Sequence, residues 1–174
     1  CTAWAAFRLD AAGGRQPSPG PSTATKRQGY AIYDHVIKAP PPAEGEYKFR
    51  MVVPDSLAVV RGILVVGPCL GGDSRDFHEQ AWYREFLRMH DFGFLGAKDF
   101  YMQDYKVLQK ALEQLAADSR HPELVNAPFA ATGLSAGGGF TRRLLKEAPD
   151  RVIAGVIVCS TLKSTHFSPM APHR

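Results

Sequence analysis

Apolar and polar positions alternate in two periods along this chain, and the switches between them predict the elements. Tyr47 to Val53 alternates residue by residue and ends at Pro54, the pattern of an early, partly exposed strand. Gly62 to Val66 is a short β-branched run closed by glycines, as a buried parallel strand is. Phe92 to Ala97, Pro128 to Thr132 and Val152 to Cys159 are further apolar runs of strand length. Between them the period lengthens. Glu79 to Met89 pairs Trp82 with Phe86 and Tyr83 with Leu87 at four-residue spacing, one side of a helix. Tyr105 to Asp118 places Leu108, Ala111, Leu112 and Leu115 on one stripe. Phe140 to Lys146 continues helically until Pro149. Strand and helix in alternation predict an α/β fold, with a mostly parallel sheet covered by helices on both faces.

The segment before this region has another character. Residues 1–45 concentrate Pro, Gly, Ser and Thr, the composition of an irregular tether, with the folded domain over 46–174. Trp4 and Phe7 are expected to pack little against the domain. Ala39 to Ala43 reads Ala-Pro-Pro-Pro-Ala, which favours extended polyproline II, and Tyr30 to Ile37 fits a short edge strand.

Charge and cysteines add exclusions. Net charge is +4, with Lys26-Arg27 and Arg142-Arg143 the only adjacent basic pairs. Neither alternates with aromatics, so no nucleic-acid patch is expected. No apolar run has membrane-spanning length. Cys1, Cys69 and Cys159 lack metal-ligand spacing, and the sequence shows no metal or cofactor site. A processed lipoprotein begins on Cys, which would give Cys1 a lipid anchor and the chain a secreted or periplasmic place. A clipped or partial gene product begins the same way.

The chemistry lies in Gly133-Leu134-Ser135-Ala136-Gly137, a Gly-x-Ser-x-Gly segment between a predicted strand and a predicted helix. A nucleophile at such a turn stands clear of the backbone, and small residues two places either side let strand and helix approach. The helix start and the next backbone N–H face any negative charge that develops there. A second glycine-rich loop, Gly67-Pro68-Cys69-Leu70-Gly71-Gly72, follows the strand ending at Val66 and can offer further backbone N–H donors. Gly67, Gly72 and Ser74 also match fixed positions of a phosphate loop, but Asp73 stands where that motif needs Lys and would repel phosphate.

With these motifs in place, the region from about Tyr47 to Ser160 resembles the polyhydroxybutyrate depolymerase and feruloyl esterase group of α/β-hydrolases. Gly-Leu-Ser-Ala-Gly-Gly, a helix ending near Glu147-Ala148-Pro149-Asp150, and then an Ala/Val-rich strand carry the resemblance. It implies a partial α/β-hydrolase fold and a serine hydrolase acting on small or polymeric esters. Ser135 would be the nucleophile, Gly133 and Gly137 the elbow glycines, and Ala136 with Cys69 or Leu70 the oxyanion hole. That group usually has His-Gly at the start of the loop; this chain has Pro68-Cys69, and Pro68 has no N–H to give.

In such a fold the acid and then the His follow the nucleophile. After Ser135 the acids are Glu147 and Asp150, both before the strand from Val152. They are expected at the far edge of the sheet, about 25 Å away at ~3.3 Å per strand residue. His166 and His173 follow that strand on the correct side, and His166 is the candidate base. Asp73 and Asp99 read as loop acids on the correct edge. His35, His78, His90 and His121 read as surface residues. A non-catalytic binding module on the same fold and a serine peptidase are the competing functions.

Overall fold

The computed structural model describes residues 25–158. Seven strands form one sheet: β1 (Thr25–Arg27), β2 (Tyr30–Lys38), β3 (Glu46–Pro54), β4 (Gly62–Gly67), β5 (Phe92–Lys98), β6 (Phe129–Leu134) and β7 (Val152–Val158). Their spatial order is β1-β2-β3-β5-β4-β6-β7. The four runs expected to lie side by side do so: β5, β4, β6 and β7 are adjacent and parallel. The sheet is α/β and mixed, because β1, β2 and β3 join antiparallel to one another and β3 pairs antiparallel with β5.

Three helices cover it: α1 (Ala81–His90), α2 (Tyr105–Ser119) and α3 (Ala136–Glu147). The apolar stripe of α2 packs on Phe49, Met51, Ile63, Val65, Leu95 and Phe129, and Phe140 and Leu144 of α3 join the same core. The opposite face of the sheet presents Val52, Leu64, Val66 and Phe94 to Tyr83 and Leu87 of α1. Odd and even residues of β4 divide between these two cores, as the two-residue period of a strand requires. Cover on the α1 face stops at β6 and β7: Leu134, Val156 and Val158 are 48%, 57% and 43% exposed.

Local chemistry sets the helix ends. Asp104 caps α2 by accepting from the Lys106 N–H at 2.8 Å, which satisfies one of the orphan donors of the first turn. Asp91 and Arg120 close α1 and α2 in the left-handed conformation.

Three expectations change. Tyr30 to Ile37, read as a short edge strand within the tether, belongs to a nine-residue strand, Tyr30–Lys38, with a neighbour on each side. The ordered sheet therefore starts no later than Thr25. Its inward residues Tyr30 and Ile32 join the α1 core, which offsets the cost of ordering the segment. Ala39 to Ala43 is not extended polyproline but part of the β2–β3 connection, with Pro41-Pro42 cis and the Ala39 N–H donating to the Gly45 carbonyl at 3.0 Å. Pairing from Lys38 to Glu46 onward forces the chain to reverse there. Finally, β3 is partly exposed as expected over its first half, where Glu46, Lys48 and Arg50 face outward, but it is a central strand, flanked by β2 and β5. Trp4 and Phe7 lie outside the described residues.

Candidate active site

Parallel β4 and β6 are neighbours, with Gly67 level with Gly133 at their carboxyl ends. Their exits form the site. Ser135 sits between the end of β6 and the start of α3 at φ 56° and ψ −115°, a backbone conformation that L-residues seldom adopt. Such a conformation costs about 1–3 kcal/mol and persists only where the surroundings over-determine it. Here they do. The Ser135 N–H donates to the Val158 carbonyl at 3.0 Å, and the Ser135 carbonyl accepts from the Gly139 N–H at 3.2 Å. Ser135 is exposed.

The glycines explain how the turn fits. A Cβ on Gly133 would lie 2.2 Å from the backbone carbon and oxygen of Gly137. One on Gly137 would lie 2.3 Å from the Gly67 oxygen, and one on Gly67 2.8 Å from the Gly137 oxygen. Backbone therefore packs on backbone where β4, β6 and α3 converge, and no side chain fits between them.

The loop after β4 faces this turn, and the Cys69 thiol donates to the Leu134 carbonyl at 3.4 Å. Two of the loop's N–H groups are engaged: Gly72 donates to the Cys69 carbonyl at 2.8 Å, and Gly71, at φ 69°, donates to Tyr101 Oη at 2.8 Å. Pro68 has none. Cys69 and Leu70 keep backbone N–H groups without a partner among the described residues. Ala136, at the first position of α3, likewise has no intrahelical acceptor for its N–H. The start of α3 thus aims free donors and the positive end of its dipole at the space above Ser135.

Sequence reasoning missed two residues that hold this edge. Ser74 is fully buried; its hydroxyl donates to the Val66 carbonyl at 2.7 Å and accepts from the Ala97 N–H at 2.9 Å, tying β4 to β5. Tyr101 pins Gly71. Neither carries a local signal, because each partner is distant in sequence.

The acids fall as the strand order requires. Glu147 ends α3, and Asp150 lies in the turn before β7, both at the edge opposite Ser135. Asp73 is held by the Arg75 guanidinium at 2.7 and 2.9 Å, and those hydrogen bonds keep its carboxyl below the usual carboxylate range. His90 ends α1 and His121 follows α2, both far from the elbow edge, while His35 lies within β2. His78 is a correction: it is 4% exposed, not a surface residue, because its ring packs on Phe94 and its Nδ1 lies 2.9 Å from the Arg75 carbonyl. His166, His173, Cys159 and Cys1 lie outside the described residues. Among those described, Ser135 Oγ has no hydrogen-bond partner, no helix is long and apolar enough to cross a membrane, and no cluster of His, Cys, Asp and Glu could hold a metal ion.

No protein-family model matches the sequence, and no curated protein does. Solved structures do match the fold. The fluorophosphonate-binding serine hydrolase FphF of Staphylococcus aureus aligns at TM-score 0.55 and 10% identity, over 81% of this chain and 64% of that one. A ferulic acid esterase aligns at 0.53 and 9%, over 81% and 62%. An S-formylglutathione hydrolase from Agrobacterium tumefaciens aligns at 0.54 and 14%, over 76% and 59%. The chain thus spans about three fifths of the length of the solved structures it matches. The chain thus has an α/β fold, a mixed and mostly parallel sheet with three described helices, that resembles part of the α/β-hydrolase fold.

Proposed function

We propose that this chain carries the nucleophile and oxyanion half of a serine hydrolase acting on carboxylic esters. One observation carries the reading: Ser135 occupies a strained strand-to-helix turn whose glycines pack backbone on backbone against the exit of β4. A surface serine in an ordinary loop needs no such convergence. In the proposed chemistry Ser135 Oγ adds to the ester carbonyl, and the N–H groups of Ala136 and of Cys69 or Leu70 hold the oxyanion. The polyhydroxybutyrate depolymerase and feruloyl esterase group remains the substrate-class expectation from the sequence resemblance.

Base and acid are the open half. No histidine or carboxylate among the described residues partners Ser135, and within them only oxyanion and binding terms act on the ester. His166 is the residue proposed as base. The alternative reading is a binding module that keeps the pocket without turnover.

Labelling with a fluorophosphonate probe and turnover of a p-nitrophenyl ester test both. The expected result is slow covalent labelling that maps to Ser135, disappears in Ser135→Ala, and accompanies ester turnover that is weak or undetectable. Absence of any label at Ser135 after prolonged incubation rejects the hydrolase reading in favour of the binding module. Rapid ester turnover abolished by Ser135→Ala would show instead that this chain already holds a working base.

A further inference from the structure

A cavity of about 140 Å³ lies between β1, β2 and α1, lined by Arg27, Gln28, Tyr30, His78, Glu79 and Arg84. It shares no lining residue with the cavity beside the elbow. One water needs roughly 10–15 Å³ on the same measure, so a small ion fits. Tyr30 fastens its floor, donating from Oη to the Arg84 carbonyl at 3.2 Å.

The polar groups around it are unevenly satisfied. Arg27 pairs with Glu79 at 2.8 Å. Arg84 donates only to the neutral Gln28 side-chain oxygen, and no carboxylate among the described residues lies within ion-pair distance of it. Two guanidinium groups and one carboxylate leave the cavity cationic. His78 stands at its wall. A carbonyl can only accept, so the Nδ1 facing Arg75 carries the proton and Nε2 presents a lone pair. Nε2 has no described partner, and His78 is one of the residues that line the cavity. Burial holds the imidazole below its ordinary pKa, despite the nearby Glu79 and Asp76, and Arg50 acts in the same direction as burial. The ring is therefore neutral in mildly alkaline buffer.

A ligand that satisfies this set must bring acceptor oxygens for the guanidinium groups and one hydrogen-bond donor for Nε2. Hydrogen phosphate brings both. Sulfate has the same shape and charge but no proton to give. We propose that this cavity binds inorganic hydrogen phosphate, with Arg84 and Arg27 on its oxygens and its P–OH donating to His78 Nε2. The proposal is independent of the hydrolase reading and of Ser135.

Calorimetric titration of the full chain in mildly alkaline buffer, with phosphate and with sulfate at matched ionic strength, tests it. Saturable phosphate binding is expected, with sulfate weaker by about tenfold or more, the usual consequence of leaving a buried polar group unpaired. Arg84→Gln should weaken phosphate by about tenfold or more, as loss of a charge-assisted hydrogen bond does. His78→Gln should narrow the preference for phosphate over sulfate, because an amide can turn either a donor or an acceptor to the ion. Melting curves without phosphate verify that each variant folds. If Arg84→Gln does not fold, Arg84→Lys replaces it, with a smaller loss expected because the charge stays and the planar fork goes. No saturable binding at millimolar phosphate, equal binding of the two ions by the unaltered chain, or undiminished binding by a folded Arg84 variant overturns the proposal.

Discussion

Single atoms decide whether the elbow forms. An added Cβ at Gly133 meets backbone at 2.2 Å, and backbone cannot swing aside as a side-chain end can. Overpacking of this kind costs about 1–3 kcal/mol or more. Gly139, two residues beyond Gly137 in α3, has nothing within 4 Å of an added Cβ. Alanine there gains up to about 1 kcal/mol of helix propensity over glycine. Urea unfolding should therefore show Gly133→Ala with a clearly lowered midpoint and Gly139→Ala with an equal or raised one. Similar midpoints for the two variants would mean that β4, β6 and α3 do not converge as described. The Gly-x-Ser-x-Gly spacing made Gly133, Ser135 and Gly137 legible from sequence, because that geometry is local. It could not reveal that Gly67 completes the contact, since the Gly67–Gly137 approach exists only once β4 and β6 pair. For the same reason the buried Ser74 hydroxyl and the Tyr101–Gly71 hydrogen bond left no trace in the local pattern.

The elements themselves were largely legible, since helices and strands are periodic in the residues that build them. The stripe Leu108, Ala111, Leu112 and Leu115 marked α2, and the structure buries all four. Its start is set by Asp104, whose carboxylate accepts from the Lys106 N–H. Asp104→Ala should lower stability by about 1 kcal/mol, within the 0.5–2 kcal/mol range for lost N-caps, and Asp104→Asn should restore most of it. Denaturant midpoints at constant slope measure both; an Ala variant as stable as the parent would show that the cap contributes nothing. What the pattern could not give was each strand's rank in the sheet. β3 alternates like a half-exposed strand, yet it lies between β2 and β5 and is mostly buried. Alternation records which face of a strand is apolar; how many neighbours cover the strand depends on residues elsewhere in the chain. The Pro-rich stretch after β2 misled for a related reason: polyproline preference is local, and a nine-residue hairpin pairing outweighs it.

At the scale of the molecule, the sheet among the described residues ends on β7, Val-Ile-Ala-Gly-Val-Ile-Val, which has no described neighbour on its outer side. It carries no Lys, Pro or charge of the kind that blunts edge strands, and Val156 and Val158 lie uncovered beside Leu134. The chain should self-associate with rising concentration, and Val156→Lys should reduce that association with little change in melting temperature, because the side chain is already exposed. Sedimentation velocity checks it; identical association by parent and variant would exclude this surface. The same strand order bears on synthesis. β4 pairs with β5 on one side and β6 on the other, while the earlier β3 finds its place only against β5. Hairpin β2–β3 is thus complete well before its acceptor exists, and the open edge of β3 waits until the ribosome has delivered Phe92–Lys98. Pairings that skip over intervening chain are slow to form, because the loop entropy is lost before the contacts reward it. The nascent chain accordingly passes through a stage in which β3 presents an unpaired edge, and the emergence of β5 ends that exposure.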